Sequence, residues 1–194
     1  MAPSAVATPN LLVDPGWLFH APLGTTMPSN TVAGSVFTDA WPAAWLPLGA
    51  TVEGSTLSYE TSVEAMSVAE LFDPVKYATV SRSGSLAFAL ASYTLTNLKR
   101  ALNGGTITTT GSGATAMNAY TLPTPGTEVR SMLGWESSDS TVRIVVLQAL
   151  SSGTIEMAFQ KAPDFARIPM EWNMEIPSGQ SQPFLPFSAG VARG

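Results

Sequence analysis

Alternating apolar and polar positions predict that this chain is mainly β. The clearest alternation runs from Thr56 to Val63 and has the two-residue period of a strand with one buried face. Its polar side carries two carboxylates, Glu60 and Glu64, and no basic residue. Similar patterns predict further strands over residues 32–38, 75–80, 85–92, 106–110, 129–135, 141–150, 154–159 and 167–176.

Proline, glycine and serine mark the predicted connections between strands. The pair Asp73-Pro74 interrupts the chain because a residue before proline avoids helical angles. Residues 82–84, Arg-Ser-Gly, predict a turn between two strands, and Gly153 after two serines predicts a hairpin turn. Small residues and prolines over residues 111–126 predict a mobile loop.

One short helix is predicted near the middle of the chain. Thr94 or Thr96 can cap its start, and Gly104 can end it in the left-handed conformation. Three leucines at helical spacing form one face, which we expect to pack on the sheet: Leu95, Leu98 and Leu102. Leu98 in particular is expected to be buried.

The two ends of the chain differ in composition from its middle. Five prolines before residue 30 disfavour a long helix or a central strand there, and the C-terminal end is again rich in Pro, Gly and Ser. Both ends carry aromatic residues that a purely flexible tail would not need. The predicted organisation is an N-terminal arm, a β domain and a C-terminal arm over residues 1–30, 31–176 and 177–194.

Aromatic residues are the predicted contacts of these arms and of a stiff loop over residues 39–47. Each arm can dock on its own domain or on a neighbouring copy. The two loop tryptophans can either complete the core of their own domain or anchor an interface. The predicted inter-subunit contacts are Trp17, Phe19, Trp41, Trp45, Phe184 and Phe187.

The low charge content suggests a surface that other molecules cover. Only 12% of the 194 residues are charged, about half of the usual share, although 45% are hydrophobic. So few charges favour association, and we therefore expect a subunit of an assembly; an ordinary polar surface of the secreted type is the alternative. No Lys or Arg precedes Lys76, which argues against a nucleic-acid binder, because phosphates need a basic face.

No catalytic, cofactor or metal site is predicted. The chain has no cysteine, and its one histidine, His20, cannot by itself build a triad or a multi-histidine metal site. Glu60 and Glu64 lie four residues apart on one strand, roughly 13 Å, which is beyond the range of a glycosidase pair. The glycine-rich runs lack the Lys-Ser or Lys-Thr ending of a phosphate-binding loop.

No membrane association is expected. No basic segment precedes an apolar run at the N-terminus, so no signal peptide is predicted. No apolar run approaches the roughly 18 residues that span a bilayer. We therefore expect synthesis and folding in a cytoplasm.

Residues 55–105 combine an acidic alternating strand, a proline corner, a second alternating strand and one short capped helix. This stretch, about a quarter of the chain, resembles the central part of the major tail tube protein of long-tailed bacteriophages, above all of those that infect actinobacteria. The matching segments are Glu60–Glu64, Val68–Pro74, Tyr77–Thr79, Arg82–Ser85, Leu86–Ala91 and Asn97–Gly105. Two upstream segments, Phe37–Pro42 and Leu48–Gly49, fit the same family more weakly.

The resemblance implies a fold and a structural role without chemistry. Tail tube proteins have a small β-barrel or β-sandwich with one flanking helix, a fold shared with the tube protein of type VI secretion systems. Six copies form a ring, and stacked rings form a hollow tube through which DNA passes without specific binding. The implied partners are further copies of the chain and other tail proteins, such as the tape measure and terminator proteins. The implied location is the virion tail, after synthesis in the host cytoplasm.

Alternatives remain open for the acidic strand and for the class of protein. Under the tube interpretation we expect Glu60 and Glu64 to face the lumen, where a negative wall repels DNA phosphates. The alternative is an outer face that these carboxylates keep solvated. The competing class is a monomeric β-sandwich that binds a carbohydrate or a receptor, with an aromatic platform at Trp41, Trp45 and Trp135.

Overall fold

The computed structural model describes residues 16–68, 72–152, 155–157 and 166–190. Within these residues the chain is mainly β with one short helix, which confirms the predicted class. The elements are β1 (Trp17–Pro22), β2 (Val32–Ala33), β3 (Val36–Phe37), β4 (Leu46–Pro47), β5 (Thr51–Met66), β6 (Lys76–Leu90), α1 (Leu95–Ala101), β7 (Thr106–Thr110), β8 (Met117–Thr121), β9 (Ser131–Glu136), β10 (Val142–Ser152), β11 (Ile168–Met174) and β12 (Phe184–Ser188).

The large sheet is antiparallel and open. Its strand order is β4-β1-β9-β10-β11-β6-β5, and β12 pairs with β10 beside this path. Strands β2 and β3 form one separate hairpin, and β7 and β8 form another. The arrangement is consistent with a β-sandwich. The described strands do not close into a barrel, because β4 and β5 each have one neighbour only.

The centre of the sheet is buried on both faces. All six residues of β9 are buried, and successive side chains of β9 and β10 enter two different hydrophobic cores. Leu133 and Val146 belong to the first core, whereas Met132 and Val145 belong to the second. The sheet therefore needs cover on both sides at its centre.

A tryptophan ring supplies part of that cover by lying against the backbone of β9. A Cβ atom at Gly134 would lie 2.3 Å from the Trp41 ring, so this approach requires glycine. Trp41 stacks on Phe19 with 4.5 Å between ring centroids and contacts Trp45 at 4.9 Å. The three rings pack against the second core.

Two segments of the predicted arms are strands of the main sheet. Strand β1 lies between β4 and β9, and β12 pairs with five residues of β10. The predicted boundaries at residues 30 and 176 therefore do not separate these segments from the domain. The prolines explain the difference: Pro22 ends β1 without interrupting it, and Pro186 lies in a strand that pairs on one side only. Residues 1–15 and 191–194 of the predicted arms lie outside the described residues.

Strand β6 is continuous where a turn was predicted. The predicted strands over 75–80 and 85–92 form one strand, and residues 82–84 lie within it. Gly84 has no positive φ; a Cβ atom there would lie 3.0 Å from Tyr59 and from Met174. Glycine therefore relieves crowding at this position, and the chain reverses between Met66 and Lys76, around the predicted Asp73-Pro74 corner.

Three other connections also differ from the prediction. The strand predicted over 32–38 is the hairpin β2–β3, because Gly34 and Ser35 both have positive φ and form a two-residue turn. The loop predicted over 111–126 contains β8, which pairs with β7. The strand predicted over 154–159 has no regular structure in its described part, residues 155–157, and Gly153 lies outside the described residues.

The predicted helix and its cap are confirmed, but its predicted buried face is wrong. The Thr94 side chain accepts a hydrogen bond from the Asn97 backbone N–H at 3.0 Å. The buried residues are Asn97 and Ala101, whereas Leu98 and the other two leucines are only half-buried. Polar contacts decide the orientation: Asn97 donates to the carbonyls of Leu48 and Ser92.

A buried arginine joins the segment after β3 to the centre of the sheet. Arg143 is 1% exposed; its Nε donates to Glu136 at 3.0 Å and its Nη1 to Asp39 at 2.9 Å. Its guanidinium carbon also lies 4.6 Å from the centroid of the Phe37 ring. Burial raises the pKa of Asp39, but Arg143 and the backbone N–H of Asn30 outweigh this effect and hold that pKa below its ordinary value.

The single histidine is held neutral beneath the helix. A hydrogen bond of 2.9 Å joins His20 Nε2 to Ser131 Oγ. Burial and the nearby Arg100 lower the pKa of His20 from 6.5 to about 4. His20 is therefore uncharged at neutral pH.

Removal of the buried cation should destabilise the fold strongly. Arg143→Met leaves Glu136 buried without its counter-charge, and we expect a loss of about 3–5 kcal/mol in the free energy of unfolding. Arg167→Met is the matched control, because the Arg167–Glu53 pair is exposed and should contribute less than about 1 kcal/mol. Urea denaturation of both variants checks this, and equal losses would contradict it.

The free energy of unfolding should also depend on pH through His20. The unfolded chain takes up a proton near pH 6.5, but the folded chain does so only near pH 4, so stability should fall as the pH decreases through this interval. The expected loss is up to about 3 kcal/mol. His20→Gln should flatten the dependence between pH 6.5 and 5, as measured by urea denaturation. An unchanged pH dependence in the variant would show that His20 does not cause it.

Candidate functional site

A long two-stranded hairpin projects from the sheet. The projecting hairpin comprises residues 57–66 of β5 and 76–83 of β6, and each of these residues except Ala78 is exposed. Ten extended residues reach roughly 30 Å beyond the core. A two-stranded hairpin with both faces in water is marginally stable by itself. The projecting hairpin is therefore the part of the described chain that most needs a partner.

One face of the projecting hairpin continues the core-facing side of the sheet and carries Tyr59, Val63 and Tyr77 together with Arg82; we call it the apolar face. Leu57 pairs with Leu86, which is buried in the first core. Farther out, the same face presents Tyr59, Val63 and Tyr77, which are 44%, 53% and 64% exposed. The described residues contain nothing that covers the outer part of this face.

The opposite face carries the two predicted carboxylates. Glu60 pairs with Ser83 and Glu64 with Ala78, and both glutamates are exposed. No ion pair joins either of them to another residue in the described ranges. The strand does place its apolar residues and its two glutamates on opposite sides, as predicted. The predicted burial of the apolar side is wrong, because Leu57, Tyr59 and Val63 are 37%, 44% and 53% exposed: this part of β5 extends beyond the core. The direction in which the acidic side faces in an assembly remains a prediction.

Contacts at the base of the projecting hairpin set its direction. The Tyr59 ring meets the Phe184 ring edge to face, with 5.5 Å between centroids. Gly84 lies beside Tyr59 and Met174, so neighbouring strands pack closely at this level. Phe184, one of the predicted inter-subunit contacts, therefore already has a partner in its own chain.

The other predicted aromatic contacts divide into internal and external residues. Trp45 is 3% exposed and its Nε1 donates to the Thr26 carbonyl at 2.8 Å, so its prediction as an inter-subunit contact is wrong. Phe19, Trp41 and Phe187 are half-buried and pack against the second core. Trp17 is 61% exposed and keeps its predicted role as a candidate contact.

The edge of the sheet is a second surface to which another chain can bind. Strand β5 is the outermost strand at one edge of the sheet, and it is sixteen residues long. An edge strand presents unpaired N–H and C=O groups to which another strand can bind. The sequence prediction missed the extent of this edge because the expected turn at residues 82–84 divided its partner strand. Residues 76–90 contain no proline, and this absence of a strand breaker is the signal that could have revealed it.

Chemistry is sparse on these surfaces. The described residues contain no group of three or more His, Cys, Asp or Glu side chains that could hold a metal ion. No helix in the described part of the chain is long and apolar enough to cross a membrane. An ion pair at the surface joins Arg130 to Glu175 at 2.7 Å, and hydrogen bonds from Arg130 and Gln148 lower the pKa of Glu175.

No protein-family model matches the sequence, and no curated protein is significantly similar to it. The functional inference therefore depends on the resemblance of residues 55–105, the projecting hairpin, the open sheet edge and the charge distribution.

Proposed function

We propose that this chain is a structural subunit of a phage tail tube, in which copies assemble through the projecting hairpin. Its mainly β domain would take the fold of tube proteins, and its copies would form six-membered rings that stack into a conduit for DNA. The observation that carries the proposal is a hairpin of roughly 30 Å with an uncovered apolar face. No chemistry and no cofactor are proposed for the subunit.

Self-association would stabilise a hairpin that is only marginally stable by itself. Burial of an apolar side chain of the size of Val63 or Tyr77 contributes about 1.5–3 kcal/mol. A neighbouring copy that covers this face would also pair with the open edge of β5. The hairpin of one copy would contact a different surface of the next, and such head-to-tail contacts produce rings or open stacks.

The sequence resemblance supports the tube in particular. The stretch that resembles tail tube proteins, residues 55–105, contains the projecting hairpin and α1. The assembly would then belong to the virion tail, with synthesis in the host cytoplasm. Tape measure and terminator proteins would be its further partners.

A lumen-facing position is proposed for the acidic face. Glu60 and Glu64 lie opposite the apolar face, so they would stay solvated when a neighbouring copy covers that face. Repetition around a ring would place like charges within a Debye length of about 8–10 Å along the wall. Such a wall repels phosphates and lets DNA slide without binding.

A monomeric binding module is the second candidate, and burial argues against its platform. Trp45 is 3% exposed and Trp135 is 8% exposed, so neither ring offers a flat surface to a sugar or a receptor. Trp41 is covered by Phe19 and by the backbone of β9.

Charges on the apolar face should weaken assembly without unfolding the domain. The double variant Val63→Lys/Tyr77→Lys should weaken each contact at least tenfold, because about 1.4 kcal/mol of lost burial is sufficient for that factor. Ser62→Lys/Ser81→Lys is the matched control on the opposite face and should assemble. Sedimentation velocity and negative-stain microscopy give the readout, and thermal unfolding checks the fold. A parent protein that stays monomeric at high concentration would contradict the proposal.

Reversal of the acidic charges should slow DNA ejection. In a phage that carries Glu60→Lys/Glu64→Lys, tubes should form, but a basic wall would bind phosphates and delay ejection, most strongly at low salt. Glu60→Gln/Glu64→Gln separates the loss of negative charge from the gain of positive charge. Normal ejection kinetics in the double-Lys phage, or a tube with both carboxylates outside, would exclude the lumen position.

A further inference from the structure

A cleft of about 220 Å³ lies between α1 and the strands β1 and β9. Its wall is mostly apolar and includes Val129 and the His20 ring, while Lys99 and Arg100 stand along it. An apolar cavity of about 150 Å³ holds a benzene ring, so the cleft has room for an aromatic side chain.

Among the described residues, the two cations of the cleft have no counter-charge. Arg100 is half-buried, and its Nη1 donates to Asn97 Oδ1 at 2.9 Å. Burial lowers the pKa of Arg100, and a partly desolvated cation gains from an anionic partner. In the described ranges no carboxylate forms an ion pair with Lys99 or Arg100, and His20 is neutral at pH 7. The cleft therefore suits a ligand that joins an apolar group to a carboxylate.

The end of the projecting hairpin carries that combination. Phe72 is fully exposed, and the next residue, Asp73, is exposed as well. Two further apolar residues nearby in the sequence, Val68 and Val75, are 46% and 59% exposed. We define the tip as these four residues. A phenyl ring left entirely in water lacks the stabilisation that burial would give it.

We infer that the cleft of one copy receives the tip of another, with the Phe72 ring inside and the Asp73 carboxylate at Arg100 and Lys99. The occupant is a second copy of this chain, chosen because the tip matches the cleft in both size and charge. The inference deepens the proposed function and rests on it.

The tip cannot reach the cleft of its own chain. The end of α1 is fixed to the sheet, because Ser151 Oγ donates to the carbonyl of Ala101. Ser151 of β10 pairs with Trp172 of β11, and Trp172 pairs with Leu86 of β6, so α1 lies at the level of Leu86 along the sheet. From Leu86 the extended strand continues for ten residues to Lys76, roughly 33 Å. The contact must therefore join two copies through different surfaces, which is the head-to-tail geometry that propagates into rings or stacks.

Charge reversal with rescue tests the contact. Asp73→Lys and Arg100→Glu should each raise the protein concentration needed for polymers at least tenfold, because each places like charges together. The double variant should recover most of the loss, since it restores an opposite pair. Arg167→Glu makes the same charge change at an exposed ion pair and is the matched control. Thermal unfolding confirms that each variant is folded.

The outcomes separate this inference from the proposed function. Single variants that polymerise like the parent, or a double variant no better than either single variant, would overturn the contact between tip and cleft, while polymers of the parent would leave the proposed function in place. Phe72→Ala is a second test that leaves all charges in place. It should weaken polymer formation without lowering the thermal stability of the subunit. A parent protein that stays monomeric would contradict both.

Discussion

Burial of β9 and β10 on both faces is the constraint on which the rest of the domain depends. A strand buried on both faces needs a layer of side chains on each side, and a chain of this size must recruit that cover from distant segments. The Trp41 ring, stacked on Phe19, covers β9 on the side of the second core, and Gly134 permits the ring to lie against the backbone. Arg143 is enclosed in the same region and is neutralised by Glu136 and Asp39.

The projecting hairpin is the opposite case, since neither of its faces is covered. The apolar alternation that buries Leu86 and Phe88 in the core continues outward through Tyr59 and Val63, beyond the reach of the domain. One periodic pattern therefore serves two purposes: its inner part holds the domain together, and its outer part offers a surface to a neighbour. Low surface charge is consistent with such a division, because a covered surface does not need charges for solubility.

Charge distribution gives the assembly a direction. The residues before Lys76 contain acids and no Lys or Arg. Glu60, Glu64 and Asp73 form no ion pair within the described ranges, and all three lie in or beside the projecting hairpin. The unneutralised cations Lys99 and Arg100 lie on α1, roughly 30 Å away along the strand. Opposite charges on separate parts of one molecule favour head-to-tail association over pairing of identical surfaces.

Local patterns in the sequence determined the elements that depend on neighbouring residues only. The alternation from Thr56 to Val63, the Thr94 cap and the acidic side with Glu60 and Glu64 follow from backbone period and capping chemistry, and the structure contains all of them. Tertiary structure decided the rest, because distant residues supply the deciding contact. Residue 84 is a glycine within a continuous strand because Tyr59 and Met174 leave little room for a side chain there. Asn97 turns inward because the Leu48 carbonyl accepts its hydrogen bond. Trp45 is buried because it packs in the second core with Met132 of β9. No local sequence pattern predicts against which strand a tryptophan ring will pack.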